Sequence, residues 1–252
     1  MMFFSVMPDF ISRLRQYSSG DSILQATETE AGCSRDAFFR SIVAAYGKVS
    51  MTIKTCFFDM GNVLVFFSHE RMCQNIAELC GWGLPQTKTF LLDEGRQWKL
   101  ERGDISEEEF HAEFCEAAGR KLEIDKLRHA AADIFWLNDS IIPVLQGLRN
   151  AGIRLVLLSN TSITHIRFIE QHFDVLRLMD DRVTSFEARA LKPEDRIFEV
   201  ALSKAQCEPS ECFYTDDIEA YIHKGASFGI NASIYTTTPL LLTALKELRV
   251  SL

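Results

Sequence analysis

The sequence predicts an α/β fold: a doubly wound, Rossmann-like, mostly parallel sheet with an inserted small helical cap. Two patterns after residue 51 indicate this fold. Short apolar runs alternate with helical stretches, as in a parallel sheet that is covered on both faces. About eighty residues between the first two runs are helical throughout, which is far more than one crossover connection needs.

The predicted strands are rich in Val, Ile, Leu and Phe and show little alternation between apolar and polar residues. They are Lys54–Phe58, Ile153–Leu158, Val183–Phe186, Glu211–Thr215 and Ala232–Tyr235. The helices predicted between them are Asp139–Ala151, Ser162–Phe173, Glu194–Ala205 and Asp217–Phe228. In this architecture ligands bind outside the carboxyl ends of the strands, so a site is expected there.

The long stretch after the first strand shows helical periodicity in four segments. They are Arg71–Cys80, Gln86–Glu101, Ser106–Ala118 and Asp125–Phe135. Ser106 and Glu109 form a capping-box pattern, which predicts that a helix begins at this point. We expect residues 67–138, called the helical insert below, to form a cap over the strand ends. Residues 51–66 and 139–252 are then the α/β core.

Residues 1–50 lack the alternation of apolar runs and helical stretches that the rest of the chain shows. The apolar segment Met1–Met7 ends at Pro8 and has no basic residue before it, so a secretory signal is not predicted. Residues 18–31 are polar and typical of a linker, and Ser34–Tyr46 predicts a short amphipathic helix. The sequence leaves open whether this extension is a docking arm, a targeting segment or a mis-assigned start before Met51.

Composition excludes several classes of function. The formal net charge is −8, from 35 acidic and 27 basic residues, which argues against a nucleic-acid-binding protein. No uncharged apolar run reaches the roughly 18 residues that a membrane span needs. Seven cysteines without a CxxC pair favour buried thiols in a reducing compartment, so a cytoplasmic location is expected. The oligomeric state is left open.

Chemically active side chains stand at or near the ends of the predicted strands. They are Asp59, Ser159, Asn160, Lys192, Asp216 and Asp217. Taken singly, such residues are often helix caps or turn residues, but in a doubly wound sheet they would share one crevice. Three carboxylates repel one another unless a cation intervenes, and oxygen ligands without His or Cys favour Mg²⁺. A carboxylate so placed could attack phosphorus and form an aspartyl-phosphate.

Four motifs in this order resemble those of the haloacid dehalogenase-like (HAD) hydrolase superfamily over about residues 53–248. The motifs are Phe58–Leu64, Leu158–Thr161, Lys192–Pro193 and Tyr214–Asp217. In the helical insert, the segment from Glu101 to Phe110 is similar to that of the sugar-phosphatase branch exemplified by α-D-glucose-1-phosphatase. The resemblance implies a Mg²⁺-dependent phosphatase that acts on a small phosphorylated metabolite, such as a sugar phosphate.

The resemblance also implies roles for individual residues. Asp59 would be the nucleophile, and Lys192 would neutralise the nucleophile and the phosphoryl group. Ser159 and the Asn160 amide would hold the phosphate. The implied metal ligands are Asp59, the Gly61 carbonyl, Asp217 as the principal ligand of the last motif, and Asp216 beside it.

Two positions depart from the usual phosphatase pattern of this superfamily. Gly61 stands where most members have a second Asp as general acid and base, although the glucose-1-phosphatase-like branch shares the Asp-x-Gly-Asn pattern. Protonation of the leaving group would then come from water or a cap residue. Tyr221 stands where that branch usually has an Asn that supports the metal site.

Two alternatives stay open at this point. One is a catalytically weak or inactive HAD-like protein that serves as a binding module or scaffold. The other is a haloacid dehalogenase-type hydrolase, which would need no metal, although the paired Asp216 and Asp217 favour phosphate. The six histidines lack paired ligand spacing and are interpreted as surface or capping residues, of which His69 could face the substrate. The three tryptophans are expected to pack within the cap, and Trp98 could line the substrate pocket.

Overall fold

Seven strands occur within residues 52–252, the part of the chain that the computed structural model describes. In chain order they are β1 Thr55–Phe58, β2 Val65–Phe67, β3 Phe135–Leu137, β4 Arg154–Ser159, β5 Asp181–Thr184, β6 Cys212–Asp216 and β7 Asn231–Ile234. Five of them form a parallel sheet in the order β5-β4-β1-β6-β7. The predicted α/β fold is therefore confirmed. The linker and helix predicted within residues 1–50 lie outside the described residues.

Helices connect these strands. In chain order they are α1 His69–Cys80, α2 Leu84–Lys88, α3 Arg96–Arg102, α4 Glu107–Ala117, α5 Ile124–Ala132, α6 Ile142–Asn150, α7 Ile163–His172, α8 Ser185–Ala188, α9 Asp195–Ala205, α10 Glu219–Ser227 and α11 Thr238–Glu247. Helices α8 and α11 were not predicted from the sequence. Among the described residues, no helix has the length and apolar character needed to cross a bilayer.

The apolar runs form a parallel sheet because each strand contributes to two cores. Phe58 on β1 packs into one hydrophobic cluster, and its neighbour Phe57 packs into the other, on the opposite face. Leu157 and Leu158 on β4 divide between the two clusters in the same way. Since successive side chains of a strand point to opposite faces, a strand buried on both sides needs apolar residues at every position. This accounts for the lack of alternation in the sequence.

The helical insert differs from prediction in two places. The helix predicted at Gln86–Glu101 is divided, because Gly95 adopts a left-handed conformation with φ of 76° and precedes α3. The helix predicted to end at Phe135 stops at Ala132 instead, and Phe135 begins β3. Strands β2 and β3 pair antiparallel at the two ends of the insert. Three-residue strands are too short to show a period in the sequence, so this hairpin was missed.

The insert is bonded to the core beside the sheet. The Ser185 hydroxyl donates to the Glu101 carbonyl at 2.5 Å, and an Arg189 guanidinium N–H donates to the Gly103 carbonyl at 2.8 Å. Arg102 forms an ion pair with Glu194. The capping box predicted at Ser106 is confirmed, because the Ser106 hydroxyl accepts from the Glu109 N–H and the Glu109 side chain accepts in return. The contacts that Ser185, Arg189 and Glu194 make with the insert fix the end of α3 against the core.

Gly103 allows this close approach, so we expect Gly103→Ala to destabilise the protein. Its φ is 79°, and an added Cβ would lie 2.6 Å from the Phe186 carbonyl oxygen. Gly119, with φ of 63° and open space around it, gives a matched control that carries only the left-handed penalty. By urea denaturation, Gly119→Ala should cost about 1 kcal/mol, and Gly103→Ala about 1–3 kcal/mol more. Equal losses for the two variants would show that the close contact is unimportant.

Candidate active site

The carboxyl ends of the three central strands carry the residues singled out in the sequence. Asp59 directly follows β1, Ser159 ends β4 and Asp216 ends β6. Because β1 lies between β4 and β6 in the sheet, these three positions are neighbours at one edge. Each of them is nearly or fully buried, with 7% of Asp59, 1% of Ser159 and 0% of Asp216 exposed.

Lys192 joins two of these carboxylates. Its Nζ donates to Asp59 Oδ1 at 2.8 Å, to Asp216 Oδ2 at 2.5 Å and to the Leu158 carbonyl at 3.0 Å. The three N–H groups of an ammonium are therefore all satisfied, as burial requires. The Asn160 side chain fixes the lysine backbone, because its Oδ1 accepts from the Lys192 N–H at 2.7 Å and its Nδ2 donates to the Lys192 carbonyl at 3.1 Å.

Carboxylate oxygens from Asp59, Asp216 and Asp217 lie within 4.8 Å of one another. With all three ionised and one lysine ammonium among them, the cluster keeps two negative charges, which matches a divalent cation. The donors are all oxygen, the ligand type that Mg²⁺ prefers. Asn62, which the sequence reasoning missed, donates from Nδ2 to Asp217 Oδ2 at 2.8 Å and so orients that carboxylate. The donor set therefore fits Mg²⁺.

Asp216 is the most enclosed of the three acids. Its Oδ1 accepts from the Ile218 N–H at 2.9 Å, and its Oδ2 accepts from Lys192 and from the Tyr214 hydroxyl. Burial raises the pKa of Tyr214 well above its ordinary value, and the nearby carboxylate adds to this, so Tyr214 stays a proton donor. Asp216 thus has protein partners on both oxygens and fixes Lys192.

Burial also shifts the titration of the other two members of the network. It raises the pKa of Asp59 to about 7, although the positive charge of Lys192 acts in the opposite direction. Burial alone would lower the pKa of Lys192, but the charges of Asp59 and Asp216 outweigh it and raise that pKa. The ammonium is therefore charged at neutral pH. A divalent cation beside Asp59 would favour the ionised carboxylate in the same way.

A cavity of about 190 Å³ opens over this edge of the sheet. Of the predicted site residues, Asp59, Gly61, Asn160, Lys192 and Asp217 line it. Two others, Ser159 and Asp216, are buried and are not among the lining residues that the structure describes. The cavity is smaller than the roughly 300–1,000 Å³ of pockets for drug-sized ligands, so it suits a small molecule.

The upper wall of the cavity is aromatic and comes largely from the insert and its flanks. Phe67 packs edge-on against His69 at 4.9 Å between ring centres, and His69 packs against Trp98 at 6.1 Å. Phe135 and Tyr221 complete this wall. Tyr221, the unusual residue in the last motif, accepts a long hydrogen bond of 3.4 Å from Asn160 Nδ2 and lies beside Lys192.

The interpretation of every histidine as a surface or capping residue was wrong for His165. This side chain is 5% exposed, lines the cavity and packs edge-on against Phe135 at 5.1 Å. Burial lowers its pKa to about 4, so the ring is neutral at neutral pH. Its position on α7 follows from the helical period, because one face of that helix packs inward. Trp98 lines the cavity, as anticipated, while remaining 44% exposed.

The match to known proteins agrees with this geometry. The family model of the haloacid dehalogenase-like hydrolases matches residues 53–226, well over half of the chain. The chain belongs to this family. A D-ribitol-5-phosphate phosphatase from Bacteroides thetaiotaomicron is 27% identical over 188 residues, which are 70% of this chain and 89% of that protein. This HAD protein is thus a phosphatase-like hydrolase.

Solved structures of HAD proteins share the fold. A HAD family enzyme from Bacteroides thetaiotaomicron has a TM-score of 0.66 at 25% identity, covering 74% of this chain and 95% of that one. A protein from Porphyromonas gingivalis, described as a predicted HAD-like family hydrolase, has a TM-score of 0.67 at 22% identity and covers 80% of this chain and 100% of that one. The superfamily is confirmed, while membership of the glucose-1-phosphatase branch stays a prediction.

Proposed function

We propose that this HAD protein is a Mg²⁺-dependent phosphatase that hydrolyses a small phosphorylated metabolite through an aspartyl-phosphate intermediate. The supporting observation is the network around Asp59, in which a buried carboxylate lies in a cavity with Lys192 at 2.8 Å and Asp217 close by. A carboxylate in contact with an ammonium and two further acids suits attack on a phosphate when a metal balances the charge.

Several residues of the chain have distinct roles in the proposed reaction. Asp59 attacks phosphorus with one carboxylate oxygen, and Lys192 screens the negative charge that builds up on the phosphoryl group. Asn160 holds Lys192 in place through two backbone contacts. Asp59, Asp217, Asp216 and the Gly61 carbonyl would hold Mg²⁺, which when bound neutralises charge on the phosphate and the carboxylates. Ser159 and Asn160 are proposed to support the phosphate site from the end of β4.

The lining of the cavity indicates an uncharged leaving group. Among the described residues, Lys192 is the one Lys or Arg side chain in the lining, and it is already paired with carboxylates. Burial lowers the pKa of both lining histidines, so neither is a cation at neutral pH. A second anionic group on the substrate would find no partner. We therefore propose a sugar or sugar-alcohol phosphate, in keeping with the ribitol-5-phosphate phosphatase relative.

The proposal also includes the division of the chain into cap and core and the location of the protein in the cell. We propose that the helical insert, residues 67–138, acts as the cap of the site, with residues 51–66 and 139–252 as its core. A cytoplasmic location fits the free thiols among the described residues, which are Cys56, Cys73, Cys80, Cys115, Cys207 and Cys212.

Removing divalent metal separates this proposal from a dehalogenase. With EDTA, phosphate release from ribitol 5-phosphate and from a panel of sugar phosphates should stop, and added Mg²⁺ should restore it. The same preparations should be offered 2-chloropropionate as a haloacid. Halide release that persists in EDTA would contradict the proposal in favour of a dehalogenase. Absence of turnover on every substrate, with or without Mg²⁺, would favour the scaffold alternative.

A further inference from the structure

The position that lacks the usual acid is closed by an aromatic ring. A Cβ added to Gly61 would lie 2.7 Å from Phe67 Cε1 and 3.3 Å from Cδ1. Phe67 is itself packed between His69 and Phe135. No carboxyl group can therefore occupy this place unless the ring moves, so a proton for the leaving group has to come from another wall of the cavity.

Few groups on the remaining walls can supply a proton at neutral pH. His69 and His165 line the cavity, but burial lowers both of their pKa values, so both rings lack the extra proton. Burial raises the pKa of Tyr221 above its ordinary value, which makes this hydroxyl a very weak acid at neutral pH. Among the described lining residues, this leaves Glu101 as the carboxyl group outside the nucleophile and metal cluster.

Glu101 is held in place at both ends. It is the penultimate residue of α3 and only 5% exposed, and Gln97, one turn earlier, donates from Nε2 to Glu101 Oε1 at 2.8 Å. Its backbone carbonyl accepts from the Ser185 hydroxyl, which anchors this end of the insert to the core. Oε2 has no hydrogen-bond partner among the described residues. A carboxyl oxygen without a partner, on a residue that lines the cavity, is suited to meet a substrate oxygen.

The environment of Glu101 also favours a protonated carboxyl. Burial raises its pKa to about 7, and the negative charge of Asp59 acts in the same direction against the hydrogen bond from Gln97. A carboxyl group with such a pKa is protonated in a large share of molecules at neutral pH and can also accept a proton back.

We propose that Glu101 is the general acid and base of this site, in place of the missing Asp at position 61. The assignment rests on the proposed phosphatase function. As Asp59 bonds to phosphorus, the ester P–O bond breaks, its electron pair stays on the ester oxygen, and Glu101 Oε2 donates its proton to that oxygen. Water then attacks the phosphorus of the aspartyl-phosphate while Glu101 takes one of its protons. The bond between phosphorus and the Asp59 oxygen breaks, its electron pair stays on the Asp59 carboxylate, and inorganic phosphate is released.

The test uses two substrates of similar size whose leaving groups differ in basicity. Nitrophenolate leaves p-nitrophenyl phosphate without protonation, whereas the more basic phenolate of phenyl phosphate needs a proton. For Glu101→Gln we expect kcat/KM with phenyl phosphate to fall about 100-fold or more, and with p-nitrophenyl phosphate by less than about tenfold. Gln can still accept the hydrogen bond from Gln97, so the pocket keeps its shape.

Two further variants complete the design. Glu116→Gln removes an exposed acid of α4 outside the cavity and should leave both substrates unchanged. Glu101→Asp keeps an acid and should retain more phenyl phosphate turnover than Glu101→Gln. Equal loss on both substrates would indicate a structural role and overturn the proposal, as would wild-type rates in Glu101→Gln. A wild-type enzyme that, with Mg²⁺, hydrolyses neither these esters nor any sugar phosphate of the panel refutes the phosphatase function itself.

Discussion

Asp59→Asn is expected to lower phosphate-ester turnover at least about a thousandfold, because an amide cannot attack phosphorus. The fold should persist, since Lys192 keeps its contact with Asp216 at 2.5 Å and no buried charge loses its last partner. The measurement is release of inorganic phosphate in the presence of Mg²⁺. Trapping of a phosphorylated protein with radiolabelled substrate should succeed in the wild type and fail in the variant.

A matched control makes this result specific. Asp174→Asn is the same chemical change at an exposed residue, which forms an ion pair with Arg177 and does not line the cavity among the described residues. It should leave turnover unchanged. If Asp59→Asn were as active as the wild type, Asp59 would not be the nucleophile. If the variant were inactive but unfolded by circular dichroism, the network around Lys192 would have to be more fragile than its contacts indicate.

The sequence was sufficient to predict where the carboxylates and the lysine lie, because the order of the parallel strands determines which loops meet. Once β1, β4 and β6 are recognised as parallel strands, the residues that follow them must meet at one edge of the sheet. The strand bounds differ from prediction by one or two residues, the most at Val183–Phe186, where Ser185 already begins α8. Shifts of this size leave each residue near the end of its strand, so the predicted location of the site does not change.

What the sequence did not show depends on how the insert packs. Glu101 and His165 reach the cavity only because α3 and α7 lie beside it. The helical period indicates which face of α7 is buried, but not that this face meets the cavity. Asn62 was quoted within a motif, yet its contact with Asp217 spans 155 residues of chain and appears only in three dimensions. The role of Phe67 in closing position 61 likewise depends on the β2–β3 pairing, which is too short to predict.

Lys192→Met is expected to abolish turnover and to destabilise the protein by about 3–5 kcal/mol at neutral pH, the usual cost of leaving buried charges unpaired. Asp216 is fully buried and would keep only the Tyr214 hydroxyl and a backbone N–H as partners. The measurement is urea denaturation in EDTA, so that no metal replaces the lost ammonium. Methionine has nearly the length of lysine, so packing changes little.

Lys204→Met is the matched control. Lys204 also binds a carboxylate, Asp181 at 3.1 Å, but its side chain is 36% exposed, so its loss should cost less than about 1 kcal/mol. Equal losses for the two variants would contradict the special position of Lys192.

The pH dependence of Lys192→Met gives a second test of the same network. Without the ammonium, the pKa of Asp59 in the folded state should rise further above that in the unfolded chain, about 3.9. The folded variant then binds more protons than the unfolded chain, so its stability falls as pH rises from about 4 towards the raised pKa of Asp59. The deficit relative to wild type should therefore be smaller at pH 5 than at pH 8. A deficit that does not vary with pH would mean that lost packing, and not unpaired carboxylates, destabilises the variant.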